Sequence, residues 1–169
     1  MKGMVRLGVI LFAVCALAAG SLAFFADITE EPIARQLELE TQDALRRVAP
    51  TATDFRVVEE GSRWEALRSG ETVGRVLAIT TKGYGGPIRL IAGVGGDGKL
   101  TGVRVVSQTE TAGLGNKIAT EPFLRQFVGL GTGELWLRKD NSQGGVDAIA
   151  AATISSRAVT NALRAAAGQ

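Results

Sequence analysis

The hydrophobic pattern of this chain changes character three times. Residues 7–26 form an uninterrupted apolar run, from Leu7-Gly8-Val9-Ile10 to Phe24-Phe25-Ala26, without a single charge. As a helix rising about 1.5 Å per residue, such a run spans roughly 30 Å, the hydrocarbon thickness of a bilayer. Lys2 and Arg6 precede it, and Asp27, Glu30 and Glu31 follow. The positive-inside rule then keeps the N-terminus in the cytoplasm and predicts the remainder on the outer, periplasmic side of the inner membrane. The competing reading is a cleaved signal peptide, for which Ala16-Leu17-Ala18 supplies a small-residue site. The apolar run continues past that site, which favours an uncleaved anchor.

Beyond the run, Ile33, Leu37, Ala44, Leu45 and Val48 recur at helical spacing between Pro32 and Pro50. Pro32 suits a first turn, with Glu30 and Glu31 at the positive end of the helix dipole. The spacing predicts a juxtamembrane helix. The pattern then shifts to short apolar stretches bounded by turn residues, which predict strands at 55–59, 64–67, 72–81, 88–94 and 100–107. Gly95-Gly96-Asp97-Gly98 between the last two predicts a hairpin. A short helix is expected over 121–128 with Pro122 at its start, one more strand over 135–137, and a last helix over 155–167. Helix, several strands, helix, strand, helix, with hairpin-length links, predicts an α+β domain with a largely antiparallel sheet. The chain thus divides into a cytoplasmic stub and anchor (1–26), a juxtamembrane helix and linker (27–50) and one domain (51–169).

Composition removes several kinds of chemistry. The net charge of +2 is accounted for by Lys2 and Arg6, which leaves the rest formally neutral. A balanced body without a basic cluster argues against nucleic acid as a partner. No histidine is present, so His-based triads and His-ligated metals are excluded. The lone Cys15 lies in the apolar run and reads as a small apolar residue; it cannot form an intrachain disulfide or metal cage. Any chemistry here must therefore come from a cofactor of another kind.

The 22 glycines concentrate that suspicion in three places. Gly83-Tyr84-Gly85-Gly86-Pro87 lies between two strands, Glu110-Thr111-Ala112-Gly113-Leu114-Gly115 follows a strand, and Gly144-Gly145-Val146-Asp147 runs through Ala150-Ala151-Ala152 into Thr153-Ile154-Ser155-Ser156. Glycine permits positive φ and close backbone approach, so each loop alone reads as a turn, and the three together point to a ligand. Thr153, Ser155 and Ser156 fall where the last helix begins. There they serve either as N-caps or as the wall of an anion site, since a helix N-terminus offers unbonded N–H groups.

In order and spacing the three segments resemble the FMN-binding domain of the RnfG family, the G subunits of the Rnf (Rsx) ion-translocating electron transport complex. The resemblance covers essentially the whole chain, membrane anchor included. It implies an FMN joined through its phosphate to a threonine of an Asp-x-x-Ser/Thr-Gly-Ala-Thr motif, the bond being made by a flavin transferase. Thr153 and Asp147 occupy the matching positions. It also implies that Gly83, Tyr84, Glu110, Thr111, Gly113 and Leu114 converge on the cofactor with Ser155 and Ser156. Tyr84 and Leu114 are candidate walls, Tyr84 alternatively a packing aromatic, and Glu110 or Thr111 candidate hydrogen-bonding groups near the ring or ribityl chain.

Three features depart from the family pattern. Ala150 and Ala151 stand for Ser/Thr and Gly, Ala112 stands for a proline, and Gln108 stands where histidine is common. The function implied is an electron relay on the outer side, in a complex that moves electrons between ferredoxin and NAD while an ion crosses the membrane. The other subunits would be its partners, no catalytic side chain would be needed, and the isolated chain would have no turnover of its own. Alternatives are the NqrC flavoprotein of the sodium-pumping NADH:quinone reductase, a membrane-anchored regulatory flavoprotein, or a scaffold without flavin.

Overall fold

The structure is a computed structural model that describes residues 2–168, and all their side chains except those of residues 2, 4, 5, 26, 27 and 30–40. It divides into two units, Met1–Glu40 and Thr41–Gln169. The first is helical throughout. Helix α1 spans Lys2–Val48, and within it Arg6–Phe25 is long and apolar enough to cross a membrane, with a mean hydropathy of 2.4. The expected helix start at Pro32 is not there: the backbone stays helical from the apolar run through Pro32 to Val48. A proline inside a helix removes one i→i−4 bond. The Leu, Glu, Gln and Ala residues that follow it are strong helix formers and carry the helix on. Of the residues that predicted the juxtamembrane helix, the side chains of Ile33 and Leu37 lie outside the described ones.

The second unit is built on a five-stranded antiparallel meander in the order β1-β2-β3-β4-β5. Its strands are β1 (Asp54–Glu59), β2 (Arg63–Arg68), β3 (Glu71–Lys82), β4 (Pro87–Gly95) and β5 (Leu100–Gln108). Each lies within two residues of its expected place. The α+β class with an antiparallel sheet is borne out. A 3₁₀ turn at Gly115–Ala119, helix α2 (Glu121–Leu124) with its 3₁₀ extension to Phe127, and helix α3 (Thr153–Ala167) follow. The strand expected at 135–137 reduces to a single bridge between Leu137 and Val146. That segment is held by its side chains instead. Leu135 and Leu137 are buried, and Trp136 lies under the guanidinium of Arg164 from α3, 3.4 Å from the ring centroid.

Period-two alternation sends alternate side chains to opposite faces of the sheet. On one face Ile88, Leu90, Ala92 and Val94 of β4 join Leu77, Leu100 and Val103, and pack against Phe123, Phe127, Leu135, Val159 and Leu163. On the other, Trp64, Ala66, Val76 and Ile91 receive Ala44, Leu45, Val48 and Ala49 from the end of α1. There the Thr101 hydroxyl donates to the Val48 carbonyl at 2.5 Å. Gly93 and Gly102 make the seat possible, because a Cβ on either would overlap the Val48 backbone. The first face orders the long segment from Gly115 to α3, and so sets where the glycine loops meet.

Candidate functional site

The three glycine-bearing loops, distant in sequence, come together on one groove of about 310 Å³. Tyr84 lines it from the first loop, Glu110, Thr111, Leu114 and Gly115 from the second, and Ala151, Ala152, Thr153, Ile154 and Ser155 from the third. Ligand pockets begin at about this size. Tyr84 is 72% exposed, Leu114 43% and Ile154 55%, so none belongs to either core. Three large apolar side chains left uncovered around one groove are the kind of wall a flat apolar ring needs.

Glu110 is the piece that joins the loops. It is only 9% exposed. One carboxylate oxygen accepts from the Gly85 N–H at 3.0 Å, and the other accepts from the Ser155 hydroxyl at 2.5 Å. Its own N–H donates to the Gln108 side-chain carbonyl at 2.6 Å. A Cβ on Gly83 or Gly115 would collide with the same carboxylate. A buried carboxylate is costly without donors. Here the donors come from the first loop and from α3, so satisfying Glu110 draws the three segments together.

The start of α3 differs from the capping that the sequence allowed. The helix begins two residues before the expected Ser155, its N-cap is Ala152, and no side chain caps it. The hydroxyls that could have done so are engaged elsewhere. Ser155 donates to Glu110, while Ser156, fully buried, donates to the Ala152 carbonyl at 2.9 Å and accepts from the Ile149 N–H at 3.1 Å. Thr153 is therefore the first helical residue, with its hydroxyl on the groove and the unbonded N–H groups of the first turn beside it.

Among the expected residues, the groove brings together Tyr84, Glu110, Thr111, Leu114, Thr153 and Ser155. Gly83, Gly113, Asp147 and Ser156 stand behind it. Gly83 closes the first loop by donating to the Gly86 carbonyl at 2.8 Å. Gly113, at φ +78, donates to the Asn116 side chain at 2.9 Å. Asp147 pairs with Arg138 at 2.8 Å, and its N–H donates to Gln126 at 2.7 Å, so it fixes the third loop from outside. A second ion pair joins the stretch before that loop to α3, with Arg157 donating to Asp140 at 2.6 and 2.8 Å. This hydrogen bond, with the adjacent positive charge, holds the Asp140 carboxyl below its ordinary value of 3.8. Ala151 occupies the left-handed region at φ +62, where the resemblance expects glycine. One contact had no signal in the loop motifs: the Lys139 ammonium donates to the Thr153 hydroxyl at 2.9 Å.

A groove walled by apolar side chains and ending at a helix N-terminus beside a hydroxyl and a cation suits a ligand with a flat ring and a phosphate. Comparison with known families agrees: the FMN-binding domain pattern matches residues 83–168, the stretch that holds all three loops. The chain belongs to the RnfG family, the G subunits of ion-translocating oxidoreductase complexes. It is 35% identical to the G subunit of the ion-translocating oxidoreductase complex of Methanosarcina acetivorans, over 98% of this chain and 93% of that one. It is also 35% identical to the G subunit of the proton-translocating ferredoxin:NAD(+) oxidoreductase complex of Clostridium ljungdahlii, over 79% and 74% of the two chains. Among solved structures, the C subunit of the Na(+)-translocating NADH-quinone reductase of Parabacteroides distasonis shares the fold, with a TM-score of 0.51 and 25% identity. That match covers 61% of this chain and 57% of the other.

Proposed function

We propose that this chain is the flavoprotein subunit of an Rnf-type complex and relays electrons through FMN attached by a phosphoester to Thr153. One observation carries the reading. Three loops separated by as many as 70 residues of sequence close on a single groove, and the attachment hydroxyl stands on its rim. The residues present fit the group. Tyr84, Leu114 and Ile154 supply apolar surface for the ring, and the open first turn of α3 supplies N–H donors for phosphate oxygens. Bound FMN supplies electron transfer in steps of one or two.

The chain's own part is to hold and orient. Glu110 fixes the loops, and Asp147, turned toward Arg138, keeps its negative charge directed away from the phosphate position. No side chain acts as nucleophile or base on a substrate, so turnover belongs to the complex, with the remaining subunits as partners and a flavin transferase for maturation. We place the chain in the cytoplasmic membrane, anchored through Arg6–Phe25, with Lys2 and Arg6 inside and the FMN domain, from residue 51, outside. A cofactor held by a covalent bond is not lost by dilution where no flavin pool surrounds it. The relationship to the RnfG proteins runs along nearly the whole chain, whereas the likeness to the quinone-reductase flavoprotein is one of fold over little more than half, which favours the Rnf assignment.

The intact mass of the membrane-purified chain tests this directly. The expected mass is that of the full chain plus FMN less one water. An unmodified chain, made together with its transferase, would leave Thr153 a helix residue and the protein a scaffold.

A further inference from the structure

The proposal here rests on the groove being the FMN site and concerns what selects the phosphate. Three cations lie around the turn that carries Thr153. Arg138 faces the Asp147 carboxylate at 2.8 Å, and Arg157 is held by both oxygens of Asp140. Each of these guanidinium charges has a carboxylate opposite. Lys139, between them in the chain, does not: among the described residues no carboxylate lies within ion-pair distance of it, and its hydrogen bond goes to the uncharged Thr153 hydroxyl at 2.9 Å. Asp140 feels the Lys139 charge at longer range, but its oxygens are occupied by Arg157.

A cation aimed at a neutral hydroxyl on the rim of a groove has its strongest partner missing. The missing charge is the one an anion at Thr153 would bring. We infer that Lys139 is the phosphate-recognising residue of this site, the side chain that makes the groove select a flavin ending in a phosphate over one ending in a free hydroxyl. Its ammonium donates to a phosphate oxygen in a charge-assisted bond, roughly twice as strong as the bond to a neutral hydroxyl. The N–H groups of the first turn of α3 donate from the other side. The two ion pairs contribute by removal, since they leave no carboxylate free to compete for the ammonium. In this arrangement Lys139 acts on the noncovalent complex, before any bond to Thr153 forms, and afterwards balances the charge that the phosphoester retains.

The test uses the full chain, purified in detergent from a host without flavin transferase, and titrated separately with FMN and riboflavin while flavin fluorescence is followed. The wild type is expected to bind FMN more tightly than riboflavin. Lys139→Gln should weaken FMN about tenfold, the scale of one charged hydrogen bond, and leave riboflavin unchanged, while Lys139→Arg should keep most of the FMN affinity. Equal losses for both flavins would show that Lys139 only tacks its loop to α3, and would overturn the inference. FMN binding unchanged in Lys139→Gln would overturn it as well, with the groove still standing. A wild type that binds neither flavin would remove the groove reading itself, and Lys139 with it.

Discussion

Two places in this molecule depend on a missing Cβ, and they use it differently. At the seat of α1, Gly93 and Gly102 let the Val48 backbone settle on the sheet among Trp64, Ala66, Val76 and Ile91. At the groove, Gly83 and Gly115 make room for the Glu110 carboxylate, whose oxygens then bind Gly85 and Ser155. The first contact is backbone against backbone in an apolar layer, and it ends in a closed core. The second is built around a charge, and the side chains it leaves outside are Tyr84, Leu114 and Ile154, which line an open groove. Glycine thus marks close approach in both. Whether that approach makes core or site depends on whether a carboxylate or an aliphatic chain fills the space.

The sharpest way to break this contrast is to fill each space in turn. Gly102→Val should push the end of α1 off its seat and cost about 1–3 kcal/mol, as overpacking does. Denaturation of the solubilised chain would read it, with flavin affinity of the folded fraction unchanged. If flavin binding fell along with stability, seat and groove would not be separable. Next in size, Glu110→Gln keeps shape while removing charge. The loss of charged hydrogen bonds to Gly85 and Ser155 should cost roughly 1–2 kcal/mol of stability. Unlike the seat variant, it should also weaken flavin binding, because it loosens the loops that form the groove. The smallest effect has the opposite sign. Ala151→Gly relieves a left-handed residue at φ +62. It should raise stability by about 0.5–1 kcal/mol, the strain relieved exceeding the backbone entropy that glycine adds to the unfolded chain. Flavin attachment should be faster as well, since the preceding turn then adopts its shape without strain; an unchanged or lower midpoint would show that the turn carries no such cost.

The sheet was legible in the sequence because each strand is bounded by turn residues, as at Gly61-Ser62 and Gly95-Gly96-Asp97-Gly98, and local chemistry decides a meander. The loops were legible as a set through their glycines and their resemblance to a family, and Thr153, Tyr84 and Leu114 do share one groove. What was not legible depends on partners far along the chain. Ser155 reads as a cap until Glu110, 45 residues away, claims its hydroxyl. The segment 135–137 reads as a strand because Leu135 and Leu137 alternate around Trp136, yet α3 and the core hold those side chains without a ladder. Pro32 reads as a helix start because proline favours first turns, but the helical run on either side outweighs its single missing bond. Lys139 belongs to no glycine loop, and its approach to Thr153 arises only once the chain between them folds back.

The central claim is that Thr153 alone carries the cofactor. Wild type, Thr153→Ala, Ser155→Ala and Ser156→Ala, each made with a flavin transferase, can be compared by in-gel flavin fluorescence and by the mass of the peptide that spans the start of α3. The account predicts fluorescence and the added mass of FMN less one water in the wild type and both serine variants, and neither in Thr153→Ala. Covalent flavin retained in Thr153→Ala would contradict it.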